Sequence, residues 1–422
     1  MVLAGADAAY AMDVGAITSQ GAVTSITGST STSSGTLTVG AYADVGAVTT
    51  MSLTSSAANL TFSTGANIGA DSDGAEGESL ATVTLSATNS TIDLGDGQTI
   101  FLDSVTDSTT DLTSTWTVTT ATSGTVNVGG LDNTYGITTV DASENNGTAF
   151  SMDTITTASI GSITLGGSGT HNIGNITTTS TSAYTIDATN AAGTVTLVLT
   201  GTNSNATVNT GNGAATITTI GDTGKTTTIA LGSGNETTDQ IISATALGDI
   251  VIKNFETAAA DDAIDLSTTG IESRGTGDGT DAHLTLDGAA VTTQAIVLQT
   301  TTASTNLDVD AGNGNVLVLG GVHATSALVE TALETSGTHE ITLGKNSVQS
   351  DGSTNWVIAW DDGTNSYIGV GAIETDASDD TEGGSADTST ITNIEVTTLV
   401  TLEGVSDVTD LVAANFGTNY IA

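Results

Sequence analysis

Short runs in which Ile, Val or Leu alternate with Thr, Ser, Asn or Asp fill most of the chain, separated by clusters of Gly, Asn, Ser and Asp. A period of two puts the apolar side chains on one side of a strand and the hydroxyls on the other. Threonine suits these positions because its branched Cβ fits a pleated backbone. The middle of the chain is the most regular: 163–165, 175–178, 184–186, 194–199, 206–208, 215–220 and 227–231 recur at a spacing of roughly ten residues, one strand plus one turn.

Two architectures fit that spacing. A parallel β-solenoid stacks rungs so that each buries its neighbour's apolar face, and an antiparallel sandwich uses similar strands joined by hairpins. Frequent Asn, Thr and turn Gly favour the solenoid over about 150–255. The complete absence of proline suits unbroken ladders. The expected fold is all-β, with parallel β-solenoid-like or β-sandwich segments, Gly/Asp-rich turns and few short helices. Three regions are expected: a β-rich 1–150, a solenoid-like 151–270 and a β-rich C-terminal region at 271–422. TSALVETALE at 325–334 predicts a short helix capped by Thr325 or Ser326. DVTDLVAANF at 407–416 predicts another. No apolar run reaches the ~18 residues that span a bilayer, so no transmembrane segment is expected.

Charge changes the picture. The 422 residues hold 47 acids and four basic residues, a formal net charge of -43, yet 37% are hydrophobic. A chain with that much apolar material folds rather than staying disordered, and its carboxylates then need water, salt or cations to screen them. Calcium is the hard cation that prefers oxygen ligands. Lys225, Lys253, Arg274 and Lys345 stand singly, which excludes the basic cluster that nucleic acid requires. Cysteine is absent, so disulfides and thiolate metal sites are excluded. The segment 1–15 lacks the basic and apolar regions of a secretory signal, which makes the C-terminus the expected carrier of any export signal.

Gly-x-Gly elements at 95–97, 211–213, 232–234, 277–279 and 312–314 can turn carbonyl oxygens toward one point. Gly277, Asp278, Gly279 and Asp281 carry the G-x-G-x-D core of the calcium-binding nonapeptide. Asp308, Asp310 and Asn313 surround a second such turn. Asp71, Asp73 and Glu76, and Asp376, Asp379, Asp380 and Glu382, supply oxygen ligands at loop spacing. The bland alternative for each cluster is a solvated acidic loop.

With these motifs, the chain resembles bacterial RTX-like and surface-layer proteins exported by type I secretion. IALGSGNETTDQI followed by GDIVIKNFETAAADDAIDLS at 248–267 looks like their repeat-flanking module. WVIAWDDGTNSYIGVG at 356–371 and TTLVTLEGVSDVTDLVAANF at 397–416 are similar to their C-terminal modules. The resemblance covers about 230–422 and implies an uncleaved C-terminal export signal and bound Ca2+. The full nonapeptide array is missing, which implies isolated calcium sites rather than a long calcium roll.

Catalytic readings find little footing. GDTGKT at 221–226 has Thr219 where the phosphate-binding loop needs a glycine. His171, His283, His323 and His339 show no zinc spacing. Glycosidase clefts are usually lined with aromatics, which make up 3% here. Trp356 and Trp360 share one strand face and could stack on a sugar, although core packing is the commoner use of such a pair. N-x-[ST] occurs at Asn59, Asn89, Asn146, Asn175, Asn205 and Asn235, a frequency expected by chance in so Asn- and Thr-rich a chain. The expected protein is therefore not an enzyme. It is a secreted, cell-surface structural protein that assembles with copies of itself, stabilised by calcium. The alternative is a secreted adhesin or carbohydrate-binding protein with a surface glycan as partner.

Overall fold

The computed structural model describes residues 2–5, 11–14, 17–18, 25–30, 36–39, 42–43, 50–56, 59–62, 82–88, 90–94, 99–101, 114–133, 137–157, 159–179, 181–221, 224–233, 239–243, 249–257, 262–266, 296, 298–301, 307–308, 316–343, 353–374, 389–390 and 393–417. Strands dominate among them, with one α-helix, α1 (Ser326–Leu333). Two compact units divide the chain, Met1–Ile217 with Gly232–Asn235, and Thr218–Leu231 with Glu236–Ala422.

In the first unit, successive strands alternate between two sheets. One sheet takes Thr50–Ser55, Thr82–Thr88, Ser114–Ala121, Ile137–Asn145, Ile160–Gly167, Tyr184–Ala191 and Ala206–Asn209 in that order. The other takes Asn59–Phe62, Thr91–Asp93, Thr125–Asn133, Ala149–Thr157, Thr170–Thr178 and Val195–Thr202. Each strand pairs in parallel with the next but one, which is the coil of a β-solenoid rather than the hairpin of a sandwich. The ladder extends toward the N-terminus as far as Val2–Gly5, which pairs with Ser25–Thr30. It therefore starts well before the 150–255 stretch that the spacing favours.

Stacking follows the alternation. Val140 lies over Ile163, Ile163 over Ile186 and Ile186 over Val208, at steps of 23, 23 and 22 residues. All four are fully buried. On the second sheet Val126, Phe150, His171 and Val195 form the matching interior column. Burying a side chain of this size contributes about 1.5–3 kcal/mol, so the stack of apolar columns is the main source of stability. Between Thr50 and Thr82, and between Thr82 and Thr115, the step rises to 32 and 33 residues. Asp71, Asp73 and Glu76 fall within the first of these longer connections.

The corner before each strand of the second sheet is a glycine. A Cβ on Gly193 would sit 2.2 Å from the Gly169 carbonyl oxygen, and one on Gly213 2.1 Å from that of Gly193. The Gly211–Gly213 element thus serves close stacking of backbones.

In the second unit Thr226–Ala230, Asp249–Lys253 and Ile394–Glu403 are parallel neighbours. Ser366–Glu374 and Ser353–Asp361 follow as antiparallel strands, and Val316–Val322 and Leu298–Thr301 extend that sheet in parallel. Gln240–Ser243 pairs in parallel with Ala263–Leu266. Helix α1 begins where its cap predicts: the Thr325 side chain accepts from the Leu328 N–H. Val329 and Leu333 pack with Leu317, Leu319, Ile341, Ile358, Trp360, Ile394 and Val396. The helix expected at 407–416 is instead two 3-10 turns, Val408–Asp410 and Ala413–Phe416. Asp407 and Asn415 accept from nearby backbone N–H groups, and such local hydrogen bonds compete with a continuous helix.

Candidate functional site

The outer faces of the first unit carry polar columns in register. Thr139, Ser162, Thr185 and Thr207 are neighbours on successive rungs, all half-buried. Beside them run Asp141, Thr164, Asp187 and Asn209. The acids in this column are engaged locally. Asp141 accepts from the Ser143 N–H at 3.0 Å, and Asp187 accepts from the Thr189 N–H at 3.1 Å and its hydroxyl at 2.7 Å.

Inside one corner lies a polar chain. The Thr120 hydroxyl donates to Asn145 Oδ1 and accepts from the Gly147 N–H, while Asn145 Nδ2 donates to the Thr170 carbonyl at 2.9 Å. The His171 ring sits edge-on to Phe150, with Nε2 3.0 Å from the Gly166 carbonyl oxygen. Burial holds its pKa below the ordinary imidazole value, against the raising effect of the Gly166 bond.

In the second unit, three aspartates are buried near one another in sequence register. Asp239, Asp262 and Asp265 are 0%, 2% and 5% exposed, and the Gln240–Ala263 pair sets the first two on adjacent rungs. The Asp262 carboxylate accepts from the Glu256 N–H at 2.9 Å and the Asp239 N–H at 3.3 Å. Its carbonyl accepts from Asn415 Nδ2 at 2.8 Å, which ties the Ala413–Phe416 turn to this ladder. Burial pushes the Asp265 carboxyl up, and a hydrogen bond from the Gln240 amide opposes the shift. Oxygen ligands of this kind suit a hard cation. Among the described residues, however, no three acidic or histidine side chains converge to hold a metal ion. The described hydrogen bonds make this cluster a fastening for the C-terminal segment. Its signal in the sequence is a repeated Asp-x-Ile, at Asp239 to Ile241 and Asp262 to Ile264.

The ligands read from the sequence lie elsewhere. Asp71, Asp73, Glu76, Gly277, Asp278, Gly279, Asp281, Asp310, Asn313, Asp376, Asp379, Asp380 and Glu382 fall outside the described residues. Asp308 ends the strand Leu307–Asp308, which pairs in parallel with Ile341–Leu343. Trp360 is 1% exposed and stacks on Tyr367 at 5.5 Å and 19°, so its ring is core. The side chain of Trp356 and all of His283 lie outside the described residues. Gly221 ends one strand and Thr226 begins the next, with Gly224 at φ +74 between them. GDTGKT is therefore a strand-to-strand turn. Asn59, Asn146, Asn175 and Asn205 are exposed. No helix among the described residues is long and apolar enough to cross a membrane.

No known protein family, curated protein or solved structure matches the chain.

Proposed function

We propose that this is an extracellular structural protein that assembles with copies of itself into a surface layer or filament, stabilised by calcium in its acidic, glycine-rich turns. The observation that carries this reading is a stacked parallel ladder built from a chain of net charge -43. In a stack of rungs each rung contacts only its neighbours, so stability accumulates along one axis and the end strands present backbone groups to a further copy. Like charges along such a stack oppose it. Among the described residues one ion pair, Lys253 Nζ to Glu403 Oε2 at 3.2 Å, offsets them, and an exposed pair of this kind is worth about 0–1 kcal/mol.

Calcium supplies the missing positive charge in this account. Its proposed ligands are the Gly277–Asp281 turn, the Asp308, Asp310 and Asn313 turn, and the clusters around Asp73 and Asp380. The resemblance of 230–422 to RTX-like and surface-layer proteins supports secretion and a place on the cell surface. The buried Trp360 ring removes half of the aromatic platform that a glycan-binding reading would use.

Chelation tests the proposal. Thermal unfolding of the purified chain is followed in millimolar calcium and again after EDTA. The expected result is a lower midpoint without calcium, with recovery on adding it back. An identical midpoint in both conditions contradicts the calcium part.

A further inference from the structure

The first half of strand Ile394–Glu403 has a strand on one side only. Its partner Ser366–Glu374 covers one edge from Ile394 onward, whereas Asp249–Lys253 covers the other edge only from Val400. Where that second strand is missing, α1 stands in for it. Glu330 Oε1 accepts from the Val396 N–H at 2.9 Å, and Glu334 Oε1 accepts from the Ile394 N–H at 3.5 Å. Two carboxylates on one helix face thus occupy the donors that a neighbouring strand would use. An open edge of this kind is a template for strand addition.

What holds the helix there is partly a pair of histidines. His323 stands just before α1 and His339 just after it. Their rings meet edge to face at 5.5 Å, and both are buried. His339 Nδ1 lies 3.1 Å from the Thr301 hydroxyl, its ring also bonds the Gly320 carbonyl, and its N–H donates to Ala332 at the end of the helix. His323 Nε2 is buried without a hydrogen-bond partner, and its backbone N–H donates to the Asp361 carbonyl at 2.7 Å. The surrounding charged groups are Asp361, Glu330, Glu334 and Glu340. The Asp361 carboxylate accepts from the Gly363 and Val408 N–H groups. The Glu340 carboxylate accepts from the Ser336 N–H. The strands Leu298–Thr301, Val316–Val322 and Ile341–Leu343 bring no titratable side chain. Among the described residues neither imidazole has an ion-pair partner. The site therefore accommodates two neutral rings and penalises two charged ones.

We propose that α1 is a guard over the Ile394–Val396 edge, latched by the His323–His339 pair, and that acid releases it so that a strand of a second copy of this chain can pair there. The second-copy part rests on the self-assembly reading above. Burial and then the neighbouring His323 hold the His339 pKa below the ordinary imidazole value, against the Gly320 bond. Protonation accordingly favours the opened state as pH falls below about 6.5.

Amide exchange of the full-length chain tests the latch. It is measured at about pH 7.5 and about pH 5.5, either side of the ordinary imidazole value, and corrected for the intrinsic pH dependence. Peptides spanning 326–333 and 394–397 are expected to lose protection by about tenfold at the lower pH, the change that one unit of pKa shift produces. Peptides within 160–208 serve as the internal comparison. The double variant His323→Asn, His339→Gln keeps the site neutral and is expected to lose this response. Unchanged protection in the wild type, or a response that persists in the double variant, overturns the proposal. Glu330→Ala with Glu334→Ala is expected to mimic acid at neutral pH, deprotecting 394–397 and raising the particle mass seen by light scattering. Deprotection without any rise in mass overturns the second-copy part while leaving the chelation test to judge the calcium reading separately.

Discussion

Gly147, Gly169, Gly193 and Gly213 sit where one coil turns onto the next, and the carbonyls or side chains of the coil before them fill the space that a Cβ would need. Gly224 is a glycine for a different reason: its surroundings are open, and its φ of +74 is what other residues avoid. The two cases separate under substitution. Gly193→Ala should cost about 1–3 kcal/mol by overpacking, read as a lower urea midpoint at unchanged slope, and Gly193→Asn should be no better. Gly224→Asn should be nearly neutral, because Asn tolerates left-handed backbone. Equal losses at both sites would refute this division. His171 makes a pH prediction. Burial lowers its folded pKa, so above about 6.5 both states are neutral and no pH term arises. Below that, the unfolded chain takes a proton that the folded chain resists, and stability falls with pH. The stability advantage of wild type over His171→Leu should therefore shrink from pH 7 toward pH 5. A constant difference would show that the ring stays neutral in both states.

At the scale of elements, what was legible in the sequence was local. Alternation marked the strands, and Thr325 marked the start of α1, because both signals lie within a few residues of their effect. Thr325→Ala should destabilise the second unit by about 1 kcal/mol, measurable as faster amide exchange across 326–333. Exchange equal to wild type would mean that packing alone holds the helix. Pairing was not legible in the same way. Strands spaced ten residues apart serve a hairpin as well as a coil, and only the next-but-one partnership distinguishes them. A longer-range signal existed in Gly-Thr pairs at Gly124, Gly147, Gly169 and Gly193, which precede every second strand at steps of 23, 22 and 24 residues. The acidic clusters were read as exposed ligands, whereas the acids that the structure buries, Asp239, Asp262 and Asp265, look unremarkable beside Ile241 and Ile264. Their burial follows from rung stacking and from the distant Asn415, neither of which a local window contains.

For the whole molecule the governing quantity is charge. A ladder of apolar columns favours continued stacking, and 47 carboxylates against four basic groups oppose it. At low ionic strength the repulsion reaches further, since the screening length grows from about 10 Å at 0.1 M salt to about 30 Å at 0.01 M. Monovalent salt should therefore raise the unfolding midpoint modestly, and calcium should raise it at concentrations where ionic strength barely changes. Equal effects at equal ionic strength would reduce calcium to a screening ion. The most direct measurement is negative-stain electron microscopy of the purified chain in millimolar calcium and in EDTA. The account predicts sheets or filaments in the first and dispersed particles in the second. Single monomeric particles in both would contradict it.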